Sequence, residues 1–296
     1  MLKANRQFKD RLFRLIFGSE EYRENALSLY NAVNHTSYTD ASKLIFTTLD
    51  NAVYLGMKND VSFLFGSDMN LYEQQSTYNP NMGLRGLLYF SHLYSSYVER
   101  AALNLYSGRS LKLPAPRFIV FYNGREKRPV REEIRLGDLF EPKGDGAVEV
   151  VAKMININYN EGAEILKRCE PLMAYAQLVQ EVRDRAAAGM TLDEAVSGGV
   201  DSCIERGVLK EILLKHKSEV VDMILEEYDE EKVRDMFRKE YLEEGREEGR
   251  KLEHHRYTVE LVHRYKDRGM GNAVIADLLG LTEEQVEAYL AQPVQG

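Results

Sequence analysis

The sequence predicts an α/β fold: a mixed β-sheet layered between helices, followed by a mainly helical C-terminal half. Three observations lead there. Helix and strand signals follow one another in the order α-β-β-β-α-β over residues 1–160, the layer pattern of an α/β/α sandwich. The run 117–122, Arg-Phe-Ile-Val-Phe-Tyr, is almost wholly apolar, as befits a strand covered on both faces inside a mixed sheet. Beyond residue 160 the strand signals stop and 3.6-residue periodicity takes over.

Each element has its own warrant. Residues 2–33 read as helix, broken near Gly18. Residues 50–57 and 60–65 read as strands. Gly66-Ser67-Asp68 is turn material, and 69–75 resumes the strand to close a hairpin. Residues 82–106 form a long helix with apolar positions at Leu84, Leu87, Leu88, Leu93, Tyr94, Tyr97 and Leu105. The last strand is expected over 148–157. A single helix over 161–188 follows. Thr191 opens the next with a Thr-x-x-Glu capping box to Glu194, and 210–225 is a further helix. Residues 230–268 read as one long charged helix laced with opposite charges four residues apart. The tail, 269–290, reads as two short helices around Gly280, with a second capping box at Thr282–Gln285. Its last helix is acidic and carries no Lys or Arg, which argues against reading a DNA groove. The organisation expected is a core at 1–160, a helical extension at 161–226, and a charged helix with a small helical unit at 227–296.

Composition narrows the function. A chain of 296 residues buries a sizeable core. No apolar run approaches 18 residues, so no membrane partner is expected. The first 18 residues form a basic amphipathic segment without the apolar core of a signal peptide. Two distant cysteines, Cys169 and Cys203, fit a reducing cytoplasm and buried thiols. The net charge of −8 is unevenly spread. Residues 219–253 hold 14 acidic and 7 basic side chains, a net of −7, whereas 109–135 hold 8 basic and 3 acidic, a net of +5. The basic stretch, with Arg125, Lys127 and Arg128, supplies phosphate-contact candidates for a DNA partner. Gly245 and Gly249, four apart in the charged helix, lie on one face and would permit a homodimer through the C-terminal helix.

The hairpin carries the chemistry. Asp60 opens one strand, and Glu73 and Gln75 share a face of the next. With the turn centred on Ser67-Asp68, Phe65 lies opposite Asn70 and Asp60 opposite Gln75. Neighbouring carboxylates repel across strands, and a divalent cation between them removes that repulsion. A hard cation such as Mg²⁺ or Mn²⁺ takes oxygen ligands of this kind.

The pattern resembles the active-site hairpin of the PD-(D/E)xK nuclease superfamily, an Asp followed by Glu-x-Lys on the next strand. The stretches 57–64 (Met-Lys-Asn-Asp-Val-Ser-Phe-Leu), 72–85 (Tyr-Glu-Gln-Gln-Ser-Thr-Tyr-Asn-Pro-Asn-Met-Gly-Leu-Arg) and 116–124 (Pro-Arg-Phe-Ile-Val-Phe-Tyr-Asn-Gly) resemble the Rpn family of recombination-promoting nucleases and transposase-related proteins within it. So do 154–158, 226–230 and 243–249. The resemblance implies a restriction-endonuclease-like α/β/α core and a Mg²⁺-dependent (or Mn²⁺-dependent) DNA endonuclease. It implies Asp60, Glu73 and Gln75 as catalytic residues, with Asp60, Glu73 and the backbone carbonyl of Gln74 as metal ligands. Gln75 stands where lysine is usual; it can donate and accept hydrogen bonds but brings no charge. Lys58 and Arg85 are the nearby cations expected to touch phosphate. A third carboxylate from Glu20, Glu21, Glu24 or Asp50 is left open. The neutral Gln75 also motivates a second reading, a weak or inactive nuclease fold that binds DNA or a protein.

Two further signals point elsewhere. Ser197-Gly-Gly-Val-Asp-Ser202 is similar to the phosphate loop of ATP pyrophosphatases, but it follows a capped helix start instead of a strand. The six histidines show no metal spacing.

Overall fold

The structure, a computed structural model, describes residues 11–47, 60–143, 146–161 and 164–292. The chain divides into two compact units, Met1–Glu231 and Lys232–Gly296. The first is built on a mixed six-stranded sheet. Its strands are β1 (Ile45–Phe46), β2 (Val61–Phe65), β3 (Asp68–Gln75), β4 (Ala115–Tyr122), β5 (Arg131–Arg135) and β6 (Val151–Asn156), in the order β1-β2-β3-β4-β6-β5. β1, β2 and β3 are antiparallel, β3, β4 and β6 run parallel, and β5 closes the edge antiparallel to β6.

Period-2 alternation divides the strand side chains between two cores. Val61, Phe63, Phe65, Tyr72, Ile119 and Phe121 pack against one helical layer. That layer includes α1 (Arg11–Phe17), α2 (Arg23–Asn34), α4 (Glu164–Arg168), α5 (Glu170–Ala187), α6 (Leu192–Glu205) and α7 (Lys210–Lys215). Met69, Leu71, Phe118, Val120 and Tyr122 pack on the other face, under Met82, Tyr89, Phe90 and Leu93 of α3 (Met82–Arg100). The nearly continuous apolar run of β4 is therefore explained: it is central, with helices above and below.

The sheet departs from the expected one in instructive ways. The hairpin turn is Gly66-Ser67, not Ser67-Asp68: Phe65 pairs with Asp68 and Val61 with Tyr72. Gly66 takes φ +58, and a glycine in the first position of a two-residue loop matches the right-handed strand twist. The expected strand at 50–57 lies outside the described residues, as do Asp50 and Lys58. β5, Arg-Glu-Glu-Ile-Arg, gives little sequence signal because only Ile134 is buried; the charges line a sheet edge, where they discourage further pairing.

The helices differ as well. α3 stops at Arg100 because Ala102 (φ +48) closes a Schellman-type cap, with the Leu103 N–H bonded to the Val98 carbonyl at 2.9 Å. Glycine usually marks that position, so the stop is silent in the sequence. The expected helix over 161–188 is two, broken at Cys169, because Pro171 starts a helix more readily than it continues one. α8 (Lys217–Asp267) is continuous through the junction expected near residue 230 and contains Gly245 and Gly249.

The Ser197–Ser202 stretch lies inside α6, behind the predicted Thr191–Glu194 capping box. Its glycines serve helix packing: a Cβ on Gly199 would sit 2.9 Å from a methyl of Val182 on α5. A helical segment cannot form the phosphate loop, so the nucleotide reading is set aside. Cys169 and Cys203 are buried free thiols, as expected.

The second unit folds the end of α8 with α9 (Asn272–Leu279) and α10 (Glu283–Leu290) around Val262, Ile275, Ala276 and Val286. Gly280 ends α9 at φ +65, and the Thr282–Gln285 capping box starts α10. Among the described residues no helix is long and apolar enough to cross a membrane.

Candidate active site

The observed register carries Asp60 past the last ladder pair, Val61–Tyr72, to the position beside Glu73 rather than Gln75. Two reciprocal hydrogen bonds confirm the placement. The Asp60 N–H donates to Glu73 Oε1 at 3.1 Å, and the Gln74 N–H donates to Asp60 Oδ2 at 2.6 Å. Both carboxylates are buried, Asp60 at 6% exposure and Glu73 at 0%. The Gln74 N–H faces Asp60, whereas the Gln75 carbonyl accepts from the Asn123 N–H on the β4 side at 3.1 Å. Strand alternation then directs the Gln74 carbonyl to the β2 side of β3.

Glu73 points to the α3 face. Gly83 and Gly86 let that helix lie close: Cβ atoms there would come within 2.4 Å of the Leu136 backbone and 2.6 Å of the Phe118 ring. Arg85 is thereby set over the hairpin. Its Nη2 donates to Glu73 Oε2 at 2.9 Å and to the Tyr89 hydroxyl at 2.7 Å. Burial drives the Glu73 carboxyl up to about 7, against the opposing pull of Arg85 and the Asp60 N–H. Burial lowers Arg85, but the Glu73 and Asp60 carboxylates and the Tyr89 hydroxyl together outweigh it and hold the guanidinium above its ordinary value. Tyr89 is raised chiefly by burial.

Behind β3 runs a polar chain with no strong sequence signal. Gln74 Nε2 donates to Asn123 Oδ1 at 2.6 Å, and Asn123 Nδ2 donates to the Tyr175 hydroxyl at 3.1 Å. Arg183 donates to the Asn123 carbonyl and, at 2.7 Å, to Asn158 Oδ1. These groups sit at the carboxyl ends of the parallel strands, where α/β sheets gather ligands. The signal available was Asn123-Gly124 directly after an apolar strand; Tyr175 and Arg183, one helical layer away, had none.

The remaining candidates are placed as follows. Gln75 shares the Glu73 face and is half-buried. Arg125 and Lys127 are exposed on the loop after β4. Arg128 instead stacks on Tyr78, its guanidinium carbon 3.4 Å from the ring centroid, and pairs with Glu126 at 2.9 Å. Glu20 pairs with Arg23 and Glu21 with Lys215. With Glu24, they ride on elements that pack the opposite sheet face from Glu73, so none joins the hairpin pair. Among the described residues no three His, Cys, Asp or Glu side chains converge as a metal site. The groups the register brings together, the two carboxylates with the Gln74 carbonyl on the same side of β3 as Asp60, are all oxygen donors. That set suits a hard divalent cation whose other ligands are water and phosphate oxygens.

No family model, curated protein or solved structure matches the chain.

Proposed function

We propose that this protein is a metal-dependent DNA endonuclease with a restriction-endonuclease-like core, acting in the cytoplasm in a recombination- or transposition-related role. One observation carries the reading: the hairpin register sets Asp60 and Glu73 side by side and buried. Such a pair is costly unless positive charge is supplied. Asp60, Glu73 and the Gln74 carbonyl would hold Mg²⁺ or Mn²⁺. The bound cation supplies acidification of a water and neutralisation of charge on the phosphate. The protein's own groups do the rest. Gln75, with an amide that both donates and accepts, orients the attacking water. Arg125 and Lys127 draw in the DNA backbone.

The test is supercoiled-plasmid cleavage with Mg²⁺, Mn²⁺ or EDTA by wild type, Asp60→Ala and Glu73→Ala. Metal-dependent nicking that falls by about 10²-fold or more in both variants supports the proposal. An intact plasmid across salt and pH rejects it. A second reading, a weak or inactive nuclease fold that binds DNA or a protein, draws on the neutral Gln75 and on the Arg85 contact that occupies Glu73. DNA binding without cleavage, unchanged by Asp60→Ala, would favour it.

A further inference from the structure

Glu73 has two carboxylate oxygens, and both are already engaged. Oε1 accepts from the Asp60 N–H at 3.1 Å, and Oε2 accepts from Arg85 at 2.9 Å. The two partners are unequal. The Asp60 N–H belongs to the chain beside β3. Arg85 reaches Glu73 on a long side chain that is 26% exposed, while Glu73 is sealed at 0%. The guanidinium also has a second holdfast: its Nη2 lies 2.7 Å from the Tyr89 hydroxyl, and its central carbon lies 5.5 Å from the centroid of that ring. Both contacts are made by the end of one flexible, part-exposed side chain, so the guanidinium can leave the carboxylate without unpacking α3.

We infer that Arg85 is an exchangeable counter-ion, the resident cation of the hairpin, which a divalent cation must displace from Glu73. The inference rests on the metal-site reading above and adds what that reading lacks, the state of the site before the cation arrives. Two monovalent carboxylates facing one guanidinium leave a net charge of −1. Adding a divalent cation while Arg85 stays would reverse that sign and press two positive groups together in a buried site, where like charges are least tolerated. Release of Arg85 removes the repulsion. The guanidinium, freed from both Glu73 and the Tyr89 hydroxyl, can then grip a phosphate oxygen with two parallel hydrogen bonds. Gln75 gives the hairpin no charge of its own. Arg85 thus supplies cationic charge in both states, to Glu73 first and to the DNA phosphate afterwards.

The experiment is a Mn²⁺ titration of the full chain at pH 8, followed by the paramagnetic resonance of free Mn²⁺. It compares wild type, Arg85→Gln and Tyr89→Phe, with Asp60→Asn as the site control and circular dichroism as the check on folding. If Arg85 competes with the cation, Arg85→Gln binds Mn²⁺ roughly 10- to 100-fold more tightly than wild type, the worth of one charge-assisted hydrogen bond. Tyr89→Phe, which loses one anchor of the guanidinium, gains about two- to tenfold. Equal or weaker binding by a folded Arg85→Gln, with wild type binding at a site that Asp60→Asn removes, overturns the inference and leaves the metal site standing. Absence of Mn²⁺ binding in every folded protein overturns both. Should Arg85→Gln fail to fold, Tyr89→Phe decides: tighter binding supports exchange, and unchanged or weaker binding overturns it.

Discussion

Glu73 shows how far one residue's surroundings can set its chemistry. A fully buried carboxyl raised to about 7 binds a proton more tightly in the folded than in the unfolded chain, where its value is near 4.5. The native state then holds more protons over that interval, so stability is fully present below about 4.5 and is lost as pH rises through about 7. Thermal melts of the metal-free protein should show the midpoint falling across this window, with the slope reduced in Glu73→Gln. Because a divalent cation compensates the charged form, added Mg²⁺ should raise the midpoint more at pH 8 than at pH 5. A pH-independent Mg²⁺ effect would contradict this assignment. Asn123 is a second sensitive residue. Asn123→Ala removes the bonds that Asn123 makes to the Gln74 amide and the Tyr175 hydroxyl in a buried setting. A loss of about 1–3 kcal/mol in urea denaturation is expected, whereas Tyr175→Phe, which removes one donor–acceptor pair and leaves the apolar ring, should cost about 1 kcal/mol.

At the scale of elements, the hairpin and the glycine after β4 decide the site. Gly66 has open space around it and φ +58, so Gly66→Ala costs only the left-handed conformation, about 1–2 kcal/mol. Gly124 is different: a Cβ there would lie 2.4 Å from the Tyr122 hydroxyl and 2.5 Å from the Ser76 carbonyl. Gly124→Ala must shift the β3 and β4 ends, and a cost of about 1–3 kcal/mol is expected in denaturation, together with a fall in any plasmid nicking. How much was legible followed from what each element asks of its residues. β2 and β4 announced themselves because they are buried and largely apolar, and β3 because turn residues join it to β2. The Asp60–Glu73 pair was legible as two carboxylates near one another, but its register was not, since a one-residue shift of a two-residue turn moves the partner by two positions. β5 hid behind its charges, and the α3 stop hid behind an alanine. The Gln74–Asn123–Tyr175 chain joins residues 49 and 52 positions apart, and no local pattern reports such a contact.

Across the whole molecule, charge is segregated along the sequence: acid over 219–253 and base over 109–135. DNA binding, if it follows the basic stretch, should weaken steeply with salt despite the net charge of −8. Lys127→Ala and Arg125→Ala should each lower the magnitude of the log–log salt slope by about 1, with similar loss on unrelated sequences; a salt slope unaltered in both variants would move the DNA surface elsewhere. On the proposed function, Asp60 and Glu73 form a single site. Its most direct test is a double-variant cycle on the rate of Mg²⁺-dependent plasmid nicking by wild type, Asp60→Asn, Glu73→Gln and the two combined. Groups that act as a unit are not additive, so each single variant should lose about 10²-fold or more and the double variant little beyond that. Losses that multiply in the double variant, or single variants that nick at the wild-type rate, would show that the two carboxylates do not work as one site.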